Sequence, residues 1–230
     1  MELDQESSYA TKKMWVPRVT YCFIALNITV FILDKLCAMV CDMPLLFVWG
    51  AKINDQIALG QYWRFLTPMF LHAGLTHLLV NMYSLYILGK DVEFIFGRFK
   101  YCLIYLSAGL LGNVASFALS SSISVGASGA IFGLLGALLY LGVVYREVVS
   151  AKFTTDIMTM ILANIAFGFM VPRIDNNAHI GGLIGGFLIA YTLGVVSQRG
   201  LNKKQILSFL LFIILAAVGI AFGLSRVYKI

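Results

Sequence analysis

Residues 101–145 read YCLIYLSAGLLGNVASFALSSSISVGASGAIFGLLGALLYLGVVY, a stretch without one charged side chain. A helix crosses the hydrocarbon of a bilayer in about 20 residues, so this stretch holds roughly two spans. Ser120 to Gly126, SSSISVG, interrupts it with turn-forming residues and divides it into a third and a fourth span. Working outward, the first span covers Val19 to Val40, with Asp34 and Lys35 required to reach the outer interface. The second runs from Leu75 to Phe96 and stops at Gly97. The fifth covers Phe153 to Val171 ahead of Pro172, the sixth Asn177 to Val196, and the seventh Ile206 to Leu224. Between the first two spans, residues 42–74 hold Pro44, Trp49, Lys52, Asp55, Trp63, Arg64 and Pro68. That segment is too polar to span and too aromatic for a solvated loop, which predicts an embedded interfacial element.

Composition agrees with lipid as the solvent. Of 230 residues 60% are hydrophobic and 12% charged, with a mean hydropathy of +0.87. A soluble domain of this size has too small a core for so much apolar surface. The expected fold is therefore an all-α polytopic membrane protein. The net charge of +6 comes from basic residues scattered through connectors, without a patch or motif for nucleic acid. With the N-terminus inside, the inner segments hold Lys12, Lys13, Arg18, Lys90, Arg98, Lys100, Arg146, Lys152, Arg199, Lys203 and Lys204. The outer ones hold Lys52, Arg64, Arg173, Arg226 and Lys229, so the bias predicts a cytoplasmic N-terminus and an external C-terminus. Residues 1–14 read as a cytoplasmic tail with no secretory signal. Cys22, Cys37, Cys41 and Cys102 lack zinc or disulfide-framework spacing and read as inert buried thiols, though Cys37 and Cys41 share a helix face.

Polar residues within apolar spans are costly and mark function. Counting helical rise from the inner charges, Ser128 lies about 27 Å above Arg146 and His179 about 30 Å above Arg199. His77 and Asn81 lie about 31 and 26 Å above Arg98. Three helices thus bring four polar residues to one layer near the outer leaflet. Ser128 stands in Gly126-Ala127-Ser128-Gly129, where a loop becomes a helix and free N–H groups face a bound carbonyl. Taken singly, Ser128 also reads as a helix cap. Ala130 stands where the strand-turn-helix nucleophile elbow has glycine, which excludes a soluble α/β-hydrolase. Gly182 and Gly186 follow His179 on its own face, and Gly129, Gly133 and Gly136 form a small-residue stripe on the fourth span. Such stripes permit close helix packing, which would bring His179 to Ser128 with Phe132 against its ring. His77 and Asn81, one turn apart, present two donors for an oxyanion, or else serve as interhelical glue. His72, His77 and His179 lack the spacing of a zinc site. Asn27, Asn113 and Asn164 read as packing residues, and Asp175 as a loop charge outside any triad.

The ordered set resembles the rhomboid family of intramembrane serine proteases. The matches are Trp63-Arg64 in the first loop, His72 with His77-Leu-Leu-Val-Asn81, Gly126-Ala127-Ser128-Gly129, and Ala178-His179-Ile180-Gly181-Gly182. They cover residues 15–200. The resemblance implies a rhomboid-like six-helix catalytic bundle at 15–200 with an additional C-terminal transmembrane helix at 201–230. It implies Ser128 as nucleophile and His179 as general base in a wet cavity, with His77, Asn81 and the Ser128 N–H as oxyanion donors. Trp63 and Arg64 would anchor the embedded loop, and the fifth span would gate lateral entry. Substrates would be membrane proteins whose transmembrane segment is helix-destabilised, and no cofactor is implied. Pro68 and Phe132 stand where some relatives carry histidine and tyrosine. A proteolytically inactive rhomboid-like protein that binds client helices is the alternative, and it would be expected to lack Ser128 or His179. The short tails favour a bacterial cell membrane.

Overall fold

Within residues 15–172, 174–195 and 201–228, which the computed structural model describes, the chain is almost entirely helical. The expectations for the 1–14 tail, Arg173, residues 196–200 and Lys229 lie outside the described residues. Helix α1 is Arg18–Cys41, followed by short α2 (Leu45–Gly50) and α3 (Asn54–Ala58). Two 3₁₀ turns, Tyr62–Phe65 and Thr67–Phe70, lead into α4 (Leu75–Phe96). Then come α5 (Arg98–Leu119), α6 (Ser128–Val144), α7 (Ala151–Met170), α8 (Asn176–Leu193) and α9 (Lys203–Tyr228). Gly97, with φ of 77°, separates α4 from α5 without a loop. The stretch between α1 and α4 does not span; it folds back as short helical pieces.

The helices differ in length and in polarity. Helices α1, α5, α7 and α9 are individually long and apolar enough to cross a membrane. Helix α6 has only 17 residues, and α4 carries Lys90, Asp91 and Glu93 in its C-terminal half. Helix α6 is buried along almost its whole length and packs on α8, which also packs on α5. A helix wrapped by others meets little lipid, so its length and polarity are set by its neighbours rather than by the bilayer. Glycines make that wrapping close. A Cβ on Gly182 would run into the Gly129 carbonyl, and one on Gly186 into the Gly133 carbonyl. Helix α9 leans on α5 and α8, with Gly219 against Val114 and Gly223 against Phe117. Helix α7 leans mainly on α6 and leaves most of its surface exposed.

Acidic side chains hold helix starts. Glu93, fully buried, accepts hydrogen bonds from Val19 N at 3.1 Å, Thr20 N at 2.8 Å and Thr20 Oγ1 at 2.8 Å. It thereby caps the first turn of α1 from α4, where the helix has no side-chain cap of its own. Glu93→Ala should lower stability by about 3 kcal/mol, because three buried donors lose their acceptor together. Thermal denaturation in detergent measures it, and an unchanged midpoint would contradict the capping role. Asp34 departs from expectation. It is buried among protein groups rather than solvated, and its Oδ1 accepts from Phe47 N in the first turn of α2 at 2.9 Å. The four cysteines are free and not buried: Cys22 and Cys41 are exposed, Cys37 and Cys102 half-buried. On helices that face lipid, a thiol behaves as a small apolar group and needs no core.

Candidate active site

The site forms at one end of the bundle, where α6 and α8 begin. Gly126 has φ of 127°, a left-handed value that turns the chain into α6 immediately before Ser128. One turn into α8, His179 donates its backbone N–H to Asp175 O at 3.2 Å. Close packing of the two helices leaves Ser128 Oγ 2.9 Å from His179 Nε2. The imidazole is buried, whereas Ser128 is only half-buried and so remains reachable. The Phe132 ring stacks on the imidazole, with centroids 4.2 Å apart and planes 11° from parallel. If Nε2 accepts the serine proton, the neutral ring carries its hydrogen on Nδ1. Nδ1 is buried and has no hydrogen-bond partner among the described residues. Asp175 does not supply one: Oδ1 caps α8 by accepting from Ala178 N at 3.1 Å, and Oδ2 accepts from the Ser116 hydroxyl. It is a helix cap bound to α5 rather than a loose loop charge.

His77 and Asn81 face the same end from α4. A Cβ on Gly126 would stand 2.7 Å from His77 Cε1 and Nε2, so the ring lies directly against the loop before Ser128. Glycine at 126 is required twice, by φ and by this contact. Asn81 is buried and donates one amide hydrogen to His77 O at 2.8 Å, which leaves its second hydrogen uncommitted to that bond. His72 is buried beside His77, with ring centroids 5.2 Å apart, and neither of its nitrogens has a described partner. Burial first, and His77 second, push its pKa down to about 3, so it stays neutral. Pro68 contributes its carbonyl, which accepts from Gly126 N at 2.9 Å.

The segment between α1 and α4 is the scaffold for this end. Arg64 is buried and donates to Ala51 O at 2.6 Å, Val48 O at 2.9 Å and Gln61 Oε1 at 2.8 Å. Trp63 is exposed along its ring and donates Nε1 to Trp49 O at 3.0 Å. Asn113 ties the segment to α5 through Phe65 O at 3.0 Å, while Asn27 bonds back to Phe23 O within α1. Asn164 lies on the exposed side of α7 and bonds to Met160 O rather than packing between helices. Lys52, Glu93 and Ser116 are polar residues that sequence reasoning passed over. The signal was present: Lys52 follows the apolar run LLFVWGA, and Glu93 sits inside a span. At the opposite end, a cavity of about 180 Å³ opens between Tyr140, Tyr145, Tyr191, Asn202 and Gln205.

Comparison with known proteins identifies the family. The rhomboid domain model matches residues 59–196. The chain is 45% identical to the rhomboid protease GluP of Bacillus subtilis over 208 residues, 90% of this chain and 41% of that protein. It is 35% identical to the putative rhomboid protease YdcA of the same organism, over 60% of this chain and 70% of that one. RHOMBOID-like protein 2 of Arabidopsis thaliana is 40% identical over 79% of this chain and 61% of its own. The chain thus spans about two fifths of the length of GluP. With helices, motifs and domain match in agreement, this integral membrane protein belongs to the rhomboid family.

Proposed function

We propose that the chain is an intramembrane serine endopeptidase that cleaves transmembrane segments of membrane proteins with a Ser128–His179 dyad. The observation that carries this reading is the 2.9 Å contact between Ser128 Oγ and His179 Nε2, with Asp175 committed elsewhere. His179 Nε2 takes the hydroxyl proton as Ser128 Oγ attacks the scissile carbonyl carbon. His77, Asn81 and the Ser128 N–H donate to the oxyanion. The protonated imidazole then passes its proton to the departing amine nitrogen as the C–N bond breaks. Water deprotonated by His179 hydrolyses the acyl ester and regenerates Ser128. The Phe132 ring face stabilises the transient imidazolium by a cation–π contact, in place of a carboxylate.

Helical carbonyls are shielded and hydrogen-bonded, so a substrate must unwind before Ser128 can reach it. Helix-destabilised segments are therefore the substrate class. Helix α7, with most of its surface unpacked, is the element that yields to lateral entry. The division into a 15–200 catalytic unit with an embedded 42–74 loop and a 201–230 additional helix belongs to this reading. So do a bacterial cell membrane, a cytoplasmic N-terminus and an external C-terminus. In detergent, a fluorophosphonate probe should label the wild type and spare Ser128→Ala. Equal labelling of the two would end the protease reading, and the inactive, client-binding alternative would replace it.

A further inference from the structure

Lys52 is fully buried, far from the start of either site helix in sequence, and the chemistry proposed above does not use it. Its surroundings are specific. Its backbone forms a two-bond antiparallel bridge with Ser124: Lys52 N donates to Ser124 O at 3.0 Å and Ser124 N to Lys52 O at 3.2 Å. Its ammonium donates to Ser122 O at 2.7 Å, Asn54 Oδ1 at 2.9 Å and Ser120 O at 3.1 Å, with Ser116 O at 3.5 Å. Two of these carbonyls, Ser120 and Ser122, belong to the link from α5 to Ser128. The third, Ser116, belongs to the residue whose hydroxyl donates to Asp175, the cap of α8. Four residues after Asp175 comes His179.

We propose that Lys52 is the positioning residue of the dyad, clamping the loop that presents Ser128 and the α5 terminus that holds the cap of the His179 helix. It rests on the dyad reading above. The ligand set suits lysine. A compact ammonium directs three hydrogens radially at carbonyls arranged around a helix C-terminus, where the planar guanidinium fork fits poorly. The Ser116 and Ser120 carbonyls sit at the negative end of the α5 dipole, so the charge is attracted as well as bonded. Burial lowers the Lys52 pKa to about 8; Asp175 opposes that shift and Arg226 adds to it. The loop itself, SSSISVG, has little to restrain it. Asn54 and Lys52 hold its first residue, Ser120; beyond that, Lys52 at Ser122 and Ser124, and Pro68 at Gly126, tie it to the first-loop scaffold.

A purely structural role makes a different forecast, because the α5 terminus has other caps. Asn54 Nδ2 donates to Phe117 O and Ser120 O at 3.2 and 3.0 Å, and Arg226 to Ala118 O at 2.7 Å. Neither touches residues 122–124. Removing the ammonium therefore leaves the helix end capped while Ser122 O loses its partner.

The experiment compares Lys52→Met, Lys52→Gln and Arg226→Met in the full chain, with wild type and Ser128→Ala as references; Arg226 caps the α5 terminus at Ala118 O and bonds neither Lys52 nor the loop. Melting temperature, the fluorophosphonate labelling rate, and kcat and KM on a transmembrane peptide substrate are measured. Lys52→Met should fold, label about tenfold or more slowly, and lower kcat with KM within about twofold, since small misplacements of reacting groups cost rate rather than binding. Lys52→Gln, which keeps two donors on a shorter arm, should fall between, and it carries the test if Lys52→Met does not fold. Arg226→Met, at a comparable loss of melting temperature, should label near the wild-type rate. Wild-type labelling by the Lys52 variants would overturn the proposal, as would parallel losses in Arg226→Met and Lys52→Met. A wild type that labels no better than Ser128→Ala would instead defeat the hydrolase reading, before any Lys52 variant is compared.

Discussion

Replacing His179 with alanine should slow acylation of Ser128 by about a millionfold, down to the background of Ser128→Ala protein. A serine hydroxyl is a poor nucleophile at neutral pH, and the imidazole 2.9 Å from Oγ is the base within reach of its proton. In serine hydrolases the nucleophile and its base act as a unit, so losing either costs about as much as losing both, roughly 10⁶ in kcat. What remains is the residual contribution of the oxyanion donors. Here the loss should be mutationally clean. His179 reaches no carboxylate, and its Nδ1 has no described partner, so its removal strands no charge. The hole beside Phe132 costs stability but does not break a polar network. Single-turnover labelling with a fluorophosphonate reads the rate, and denaturation checks that the variant is folded. Labelling within about tenfold of wild type would remove His179 from the chemistry.

The expected helices from residues 19 to 224 are legible because lipid imposes a length and a hydrophobicity that a sequence displays directly. Helix α4 begins at Leu75 and ends at Phe96, the end that Gly97 predicts. The approach of Ser128 to His179 is legible for a related reason: glycines at 129, 133, 182 and 186 repeat at helical spacing, and only close packing uses them. Charged groups resist such reading. Glu93 caps a helix 74 residues earlier in the chain, and Lys52 seeks carbonyls 64 to 70 residues later. Local sequence places each of them inside or beside an apolar run but does not say whose helix end is unsatisfied there. Asp34 illustrates the same limit. Its charge alone predicts an escape to water, whereas the free N–H of Phe47 makes burial affordable. Exposed thiols are the converse case, since an apolar span does not reveal which face meets lipid and which meets protein.

Gly182→Ala should abolish most activity with one added methyl group, lowering the Ser128 labelling rate by about a hundredfold or more. The new Cβ would overlap the Gly129 backbone carbonyl, and a main-chain atom in a helix has no rotamer by which to step aside. Helices α6 and α8 must therefore separate near Ser128, and a misplacement of about 1 Å is worth roughly 10² in rate. Overpacking also costs stability, about 1–3 kcal/mol. Gly185, on the same helix but turned toward α5, supplies the comparison. Its Cβ would meet Leu111 Cβ at 3.0 Å and Ala108 Cα at 3.3 Å, a far smaller overlap that a shift of α5 by a few tenths of an ångström relieves. Gly185→Ala should accordingly destabilise less and leave labelling within about tenfold of wild type. Gly129 directly follows Ser128, so the Gly182 clash is both the larger of the two and the one beside the dyad. Equal labelling rates for the two alanine variants would show that close contact between α6 and α8 does not set the distance from hydroxyl to imidazole.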